Sequence, residues 1–168
     1  SFKKVILKVK NDQIVLSSLY KIYIKKNLLD DAIYYIDNLL KINEEHFEAN
    51  RDKAYVLLYK ENLLEAKKYI DIALKIDPND CLALNISGLI NYKNNDFVNA
   101  QISFKKAIKI NKNYLDSYNN LGVCLLELEK LDEAHIVFKE AYQIDSNNVK
   151  TIINLGNVLS LQDNILEA

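Results

Sequence analysis

Proline occurs once in this 168-residue chain, glycine three times and cysteine twice. So few glycines cannot serve the tight turns of a glycine-rich all-β chain. No stretch shows the apolar–polar alternation of a strand either. Cys81 and Cys124 stand 43 residues apart, with no Cys-x-x-Cys and no neighbouring histidine. That pattern signals neither a zinc site nor a disulfide framework, and two free thiols fit a reducing compartment. Methionine is absent, so Ser1 is not an untouched translation start. The opening Ser1 to Leu7 has too short an apolar run for a signal peptide. No run approaches the ~18–20 apolar residues of a membrane span. Neither sign of charge is in excess: 22 basic against 23 acidic residues leave a net charge of −1. The electrostatic case for nucleic acid or an anionic membrane as partner is therefore missing. A cytoplasmic location is expected.

What the chain has in abundance is repetition. An alanine returns every 34 residues, at Ala32, Ala66, Ala100, Ala134 and Ala168. The same step connects Ile42, Ile76, Ile110 and Ile144, then Ile36, Ile70, Phe104 and Phe138, then Leu39, Ala73, Ala107 and Ala141. A fixed period in this range marks stacked units, each of which contacts mainly its neighbours.

Within 115–148, Tyr118, Leu121, Gly122 and Leu125 follow the i, i+3, i+4, i+7 spacing of one helical face. After the short polar turn Glu129-Lys130, Ala134, Phe138, Ala141 and Tyr142 trace a second face. Turn and cap residues follow at Asp145 to Asn148, and homologous breaks fall at Asn43 to His46, Asp77 to Asp80 and Asn111 to Asn113. Pro78 lies in one of these breaks, where it does least harm. The predicted helix pairs are 13–26/28–42, 47–60/62–76, 81–94/96–110, 115–128/130–144 and 149–162/164–168. Small residues at Gly88, Gly122 and Gly156, opposite the alanine column, predict close helix approach, with Phe104 and Phe138 filling the space beyond.

The run Tyr118…Leu121-Gly122…Leu125…Ala134…Phe138…Ala141 resembles the tetratricopeptide repeat, a 34-residue helix-turn-helix unit. The resemblance extends over repeats 13–46, 47–80, 81–114 and 115–148 and a partial repeat 149–168. Asn50 departs from it at the usual large-aromatic place. Tyr20 departs at a small-residue place, where the helix pair is expected to splay. Phe2, Val5 and Ile6 keep the phase, so 1–12 reads as the last helix of a preceding repeat. The resemblance implies an all-α, right-handed α-solenoid of stacked antiparallel helix pairs running through 1–168. Both ends fall inside the pattern without capping helices, which suggests an excerpt of a longer array or ends that pack against copies of the chain.

In such a superhelix the first helices line the concave face. Its stripe includes Asn85, Asn119, Asn120, Asn154 and Asn157, an amide ladder, with Lys150 beside it. An asparagine both donates and accepts, so a ladder of them suits an extended peptide backbone. It equally suits tying neighbouring helices together. Arg51, Tyr55 and Tyr59 put a cation and two aromatics on one surface, a composition enriched at binding hot spots. Leu89 and Val123 are expected to pack between adjacent first helices. The family's carboxylate clamp for a Hsp90 or Hsp70 C-terminus is poorly matched by Asn85, Leu89, Asn120, Lys150 and Asn154.

Nothing points to catalysis. His46 sits in a turn and His135 on an outer helix face, and no phosphate loop, nucleophile elbow or metal spacing appears. No cofactor is expected. The reading is a non-enzymatic scaffold that binds a protein or peptide along its concave groove. The alternatives are a substrate-recruiting or regulatory segment of a larger enzyme, such as a glycosyltransferase, and a module that self-assembles end to end as a homo-oligomer.

Overall fold

The computed structural model describes residues 12–166 of the chain. The helix expected within 1–12 lies outside that range. The helices are α1 (Gln13–Lys25), α2 (Leu29–Ile42), α3 (Phe47–Tyr59), α4 (Leu63–Ile76), α5 (Cys81–Lys93), α6 (Phe97–Ile110), α7 (Leu115–Glu127), α8 (Leu131–Ile144) and α9 (Val149–Leu166). No strand occurs among the described residues.

Each turn has a local cause. At helix starts, a side-chain acceptor takes an orphan backbone N–H: Asp12 from Ile14 (2.9 Å), Asp80 from Ala83 (2.7 Å), Asn148 from Thr151 (3.0 Å). Within each pair, the first helix ends on a residue in the left-handed region: Asn27 (φ 56°), Glu61 (59°), Asn95 (59°) and Glu129 (58°). The next residue's N–H then reaches back to the last turn, as from Leu28 to the Tyr23 carbonyl (2.9 Å) and from Lys130 to that of Leu125 (2.9 Å). Between pairs, Asn43, Asn111 and Asp145 accept through their side chains from the N–H two residues on.

The chain divides into two compact units, 1–78 and 79–168, with the boundary in the turn at Pro78 and Asn79. Each unit is a stack of antiparallel helix pairs, the all-α solenoid class. In the first unit, Leu16, Tyr20, Ile36, Leu39, Leu40 and Ala49 form a buried cluster. In the second, Phe104 and Phe138 pack with Ala100, Ala134, Leu121 and Leu125. The alanine column is fully buried at Ala32, Ala66, Ala100 and Ala134. The facing positions trade size: Gly88 meets Phe104 and Gly122 meets Phe138 so closely that a Cβ at either would overlap the ring. Tyr20 is fully buried, and its hydroxyl donates to Asp52 Oδ2 at 3.1 Å. The smaller Ile36, standing in the Phe104 and Phe138 column, makes room for it.

Two further expectations differ from the structure. The break expected after residue 162 is not made, and α9 runs on to Leu166. Gly156, at the Gly88 phase, consequently faces open space. His135 is half-buried rather than exposed.

Candidate functional site

The amide ladder belongs to the second unit, on the first helices α5, α7 and α9. Beside the asparagines runs a column of small residues, Ala83, Ser117 and Thr151, all buried. Small side chains let adjacent first helices approach, and the two hydroxyls then meet the amides. Asn85 Oδ1 accepts from Ser117 Oγ (3.0 Å) and from Asn120 Nδ2 (3.1 Å). Asn119 Nδ2 donates to Thr151 Oγ1 at 2.9 Å, and Asn119 Oδ1 faces Asn154 Nδ2 at 3.4 Å. The Thr151 hydroxyl has two acceptors at 3.1 Å, Asn119 Oδ1 and Asn148 Oδ1.

Burial sorts the ladder. Asn85 and Asn119 are 5 % and 1 % exposed, so they act as internal ties between helices. Asn120 and Asn154 are half-buried and Asn157 is exposed. Asn120 Oδ1 accepts from the exposed Lys150 Nζ at 3.1 Å, which holds that ammonium over the ladder. Leu89 and Val123 are half-buried and pack against the second unit's core. Further along this face, Tyr92 donates to Glu127 Oε1 at 2.9 Å. Burial and then the Glu127 contact push the Tyr92 phenol up to about 12. The sequence reading missed Ser117 and Thr151. Their signal was the 34-residue column of small residues in which they stand.

In the first unit, Arg51, Tyr55 and Tyr59 share a face of α3. The Arg51 guanidinium pairs with Asp52 at 2.9 Å and lies 5.4 Å from the centre of the Phe47 ring. Its charge is thereby largely matched within the helix. Tyr55 and Tyr59 rings lie 4.7 Å apart, and Tyr59 is 63 % exposed, which makes it the projecting group of this patch. Of the residues on the stripes at the two ends of the array (Phe2, Val5, Ile6, Leu155, Leu159 and Ile165), Phe2, Val5, Ile6 and Ile165 fall outside the described side chains. Leu155 is half-buried and Leu159 is exposed. No described helix is long and apolar enough to cross a membrane.

Two sequence profiles described as tetratricopeptide repeat match residues 83–114 and 103–136. No curated protein matches the chain. Among solved structures, the chain is similar to pilF of Pseudomonas aeruginosa, with a TM-score of 0.83 and 17 % identity over 92 % of this chain and 70 % of that one. It is also similar to YrrB, described as a tetratricopeptide-repeat protein with an unusual peptide-binding site (TM-score 0.76, 23 % identity, 98 % and 84 % covered). A third is the first such domain of Spaghetti (RPAP3) bound to an HSP90 peptide (0.65, 18 %, 68 % and 90 % covered). Identities this low speak for the fold, and the two profile matches speak for the repeat. By its 34-residue columns, its stacked helix pairs and these matches together, the chain is a tetratricopeptide-repeat protein.

Proposed function

We propose that the chain is a protein-interaction scaffold whose second unit takes an extended polypeptide along the exposed face of α5, α7 and α9. The observation that carries this is the division of labour within the ladder. Asn85 and Asn119 are consumed internally, whereas Asn120, Asn154 and Asn157 reach the surface from helices that those buried ties hold in place. One donor hydrogen of Asn120 is used by Asn85, so the second hydrogen remains for a peptide carbonyl. Asn154 can likewise offer its carbonyl oxygen to a peptide N–H. Because these side-chain amides would meet only main-chain groups of the peptide, recognition would follow its backbone conformation more than its side-chain identity. Lys150 would add a cation for a carboxylate on the bound segment. Arg51, Tyr55 and Tyr59 form a second contact surface on the first unit, where Tyr59 offers apolar area with a polar tip. The similarity to structures described with bound peptides or peptide-binding sites supports this reading.

The test is side-chain amide NMR on the labelled chain during titration with peptides selected for binding from a display library. Shifts concentrated on the Asn120, Asn154 and Asn157 amides are the expected result. Shifts confined to α6 and α8 would remove the groove reading.

A further inference from the structure

The column Asn38, Ile72, Lys106 and Glu140 carries an acid in one repeat only. Three residues further along the same helices, the lysines Lys41, Lys75 and Lys109 give way to Gln143. Both changes fall in repeat 115–148, and both residues are exposed on α8, so the core supplies no packing reason for them. The ion pairs of α8 run through Glu133, to Lys105 at 3.8 Å and to Lys130 at 3.7 Å. Among the described residues Glu140 has no such partner.

Glu140 and Gln143, with Asn113, Tyr118 and Ile144, line an open cleft of about 520 Å³ at α7, α8 and the α6–α7 loop. The volume falls in the usual range for ligand clefts, roughly 300–1,000 Å³. Tyr118, buried but for 8 % of its surface, and the half-buried Ile144 give the lining its apolar part. The Tyr118 phenol is pushed up by burial and then by the charge of Glu140, which puts that carboxylate within electrostatic reach of the ring oxygen. Glu140, Gln143 and Asn113 are exposed, and among the described residues no hydrogen bond holds their side chains, so each can turn toward the cleft. Glu140 is the one charged residue of the five, and the lining is therefore acidic. Lys112 and Lys139, next in sequence to Asn113 and Glu140, do not line it.

We propose that this cleft receives the guanidinium group of an arginine side chain from a partner polypeptide. The occupant is a cation because the one charge of the lining is a carboxylate. It is a guanidinium rather than an ammonium because the acceptors come from three residues, the two carboxylate oxygens of Glu140 and the amide oxygens of Gln143 and Asn113. A planar fork of five donors meets a carboxylate with two N–H groups and keeps the others for the amides, whereas an ammonium has three donors in all. The aliphatic stem of the arginine then lies along Tyr118 and Ile144. The site is separate from the groove described above: Tyr118 lies on the stripe of α7 that faces α8, while Asn120 bonds Asn85 of α5 and Lys150 of α9. Failure of one therefore leaves the other to be read on its own.

The experiment titrates the full labelled chain with three capped tripeptides, Gly-Arg-Gly, Gly-citrulline-Gly and Gly-Lys-Gly, and follows amide shifts. Citrulline keeps the planar shape and removes the charge, while lysine keeps the charge and removes the fork. The expected result is saturable shifts at Glu140, Gln143 and Ile144 with Gly-Arg-Gly, and affinity roughly 3- to 10-fold weaker for each control, about one hydrogen bond or exposed charge contact. Gln143→Lys, which installs the residue that Lys41, Lys75 and Lys109 supply in the other repeats, should keep the fold and abolish binding. Glu140→Gln should weaken binding by roughly the same factor as citrulline does, and Asn120→Ala, in the groove, should leave it unchanged. Absence of saturable shifts at millimolar Gly-Arg-Gly, equal affinity for either control, or binding that survives Gln143→Lys in a folded chain would overturn the proposal.

Discussion

Gly88 and Gly156 hold the same place in their repeats and answer to opposite physics. At Gly88 a methyl group would overlap the Phe104 ring, whereas at Gly156 nothing lies within 4 Å of the added Cβ. Alanine is about 1 kcal/mol better than glycine in a helix interior. At Gly156 that gain stands alone, so Gly156→Ala should stabilise the chain by about 0.5–1 kcal/mol. At Gly88 the same gain is opposed by overpacking, which costs about 1–3 kcal/mol. Urea titration of the two variants should therefore move the midpoint in opposite directions. A common direction would show that the glycine column is not read by its facing ring. The buried asparagines teach a related lesson. Asn85 and Asn119 fall on the stripe that periodicity assigns to the groove, yet they are buried. Periodicity locates a face, but it does not say how near the next first helix comes. Here the small column Ala83, Ser117 and Thr151 decides that, and its two hydroxyls turn proximity into hydrogen bonds.

Among the elements, the helix ends store a removable cost. Glu61 and Glu129 adopt left-handed backbone, at φ 59° and 58°. A side chain bearing a Cβ pays roughly 1–2 kcal/mol there, while glycine does not. Part of the gain on substitution returns as entropy of the more flexible unfolded chain. Glu129→Gly is accordingly expected to raise stability by up to about 1 kcal/mol, and Lys130→Gly, one residue on, to lower it. Thermal melts of both variants check this, and destabilisation by Glu129→Gly would contradict the turn assignment. The α5 and α7 faces meet through Tyr92 and Glu127, and this contact has a pH signature. The Tyr92 phenol is raised from 10.0 to about 12, by burial first and by the Glu127 hydrogen bond and charge next. Burial raises Tyr20 and Tyr118 in the same direction. The folded state thus holds these protons more tightly than the unfolded state. The contribution of Tyr92 is complete below about pH 10 and is lost as pH rises from about 10 toward 12. Denaturation at stepped pH should show stability falling across that window, with a shallower fall in Tyr92→Phe. A profile indifferent to Tyr92→Phe would place that phenol in water.

For the molecule as a whole, the repeat was legible because sequence neighbours are spatial neighbours in stacked helix pairs. The columns through Ala134, Phe138 and Gly122 needed no long-range information, and the boundaries of α1 to α8 fell within a residue or two of the spacing, whereas the break expected in α9 is not made. The face of α5, α7 and α9 was legible only in outline. Whether Asn120 bridges helices or meets a ligand depends on distances that a 34-residue period does not encode. Asn50 was visible in the sequence as a departure from the repeat, while its buried Oδ1 without a hydrogen-bond partner needed coordinates. The central claim is that the surface asparagines of the second unit bind an extended polypeptide held against buried structural ties. Replacing Asn120 and Asn154 together by alanine tests it most directly, with peptide affinity and melting temperature read on the same protein. Each lost bond is worth about 0.5–1.5 kcal/mol. The account predicts affinity weaker by about 1–3 kcal/mol, or roughly 5- to 150-fold, with a smaller change in folding stability. Unchanged affinity with a lowered melting temperature would contradict it, and would assign these asparagines to holding the helices together.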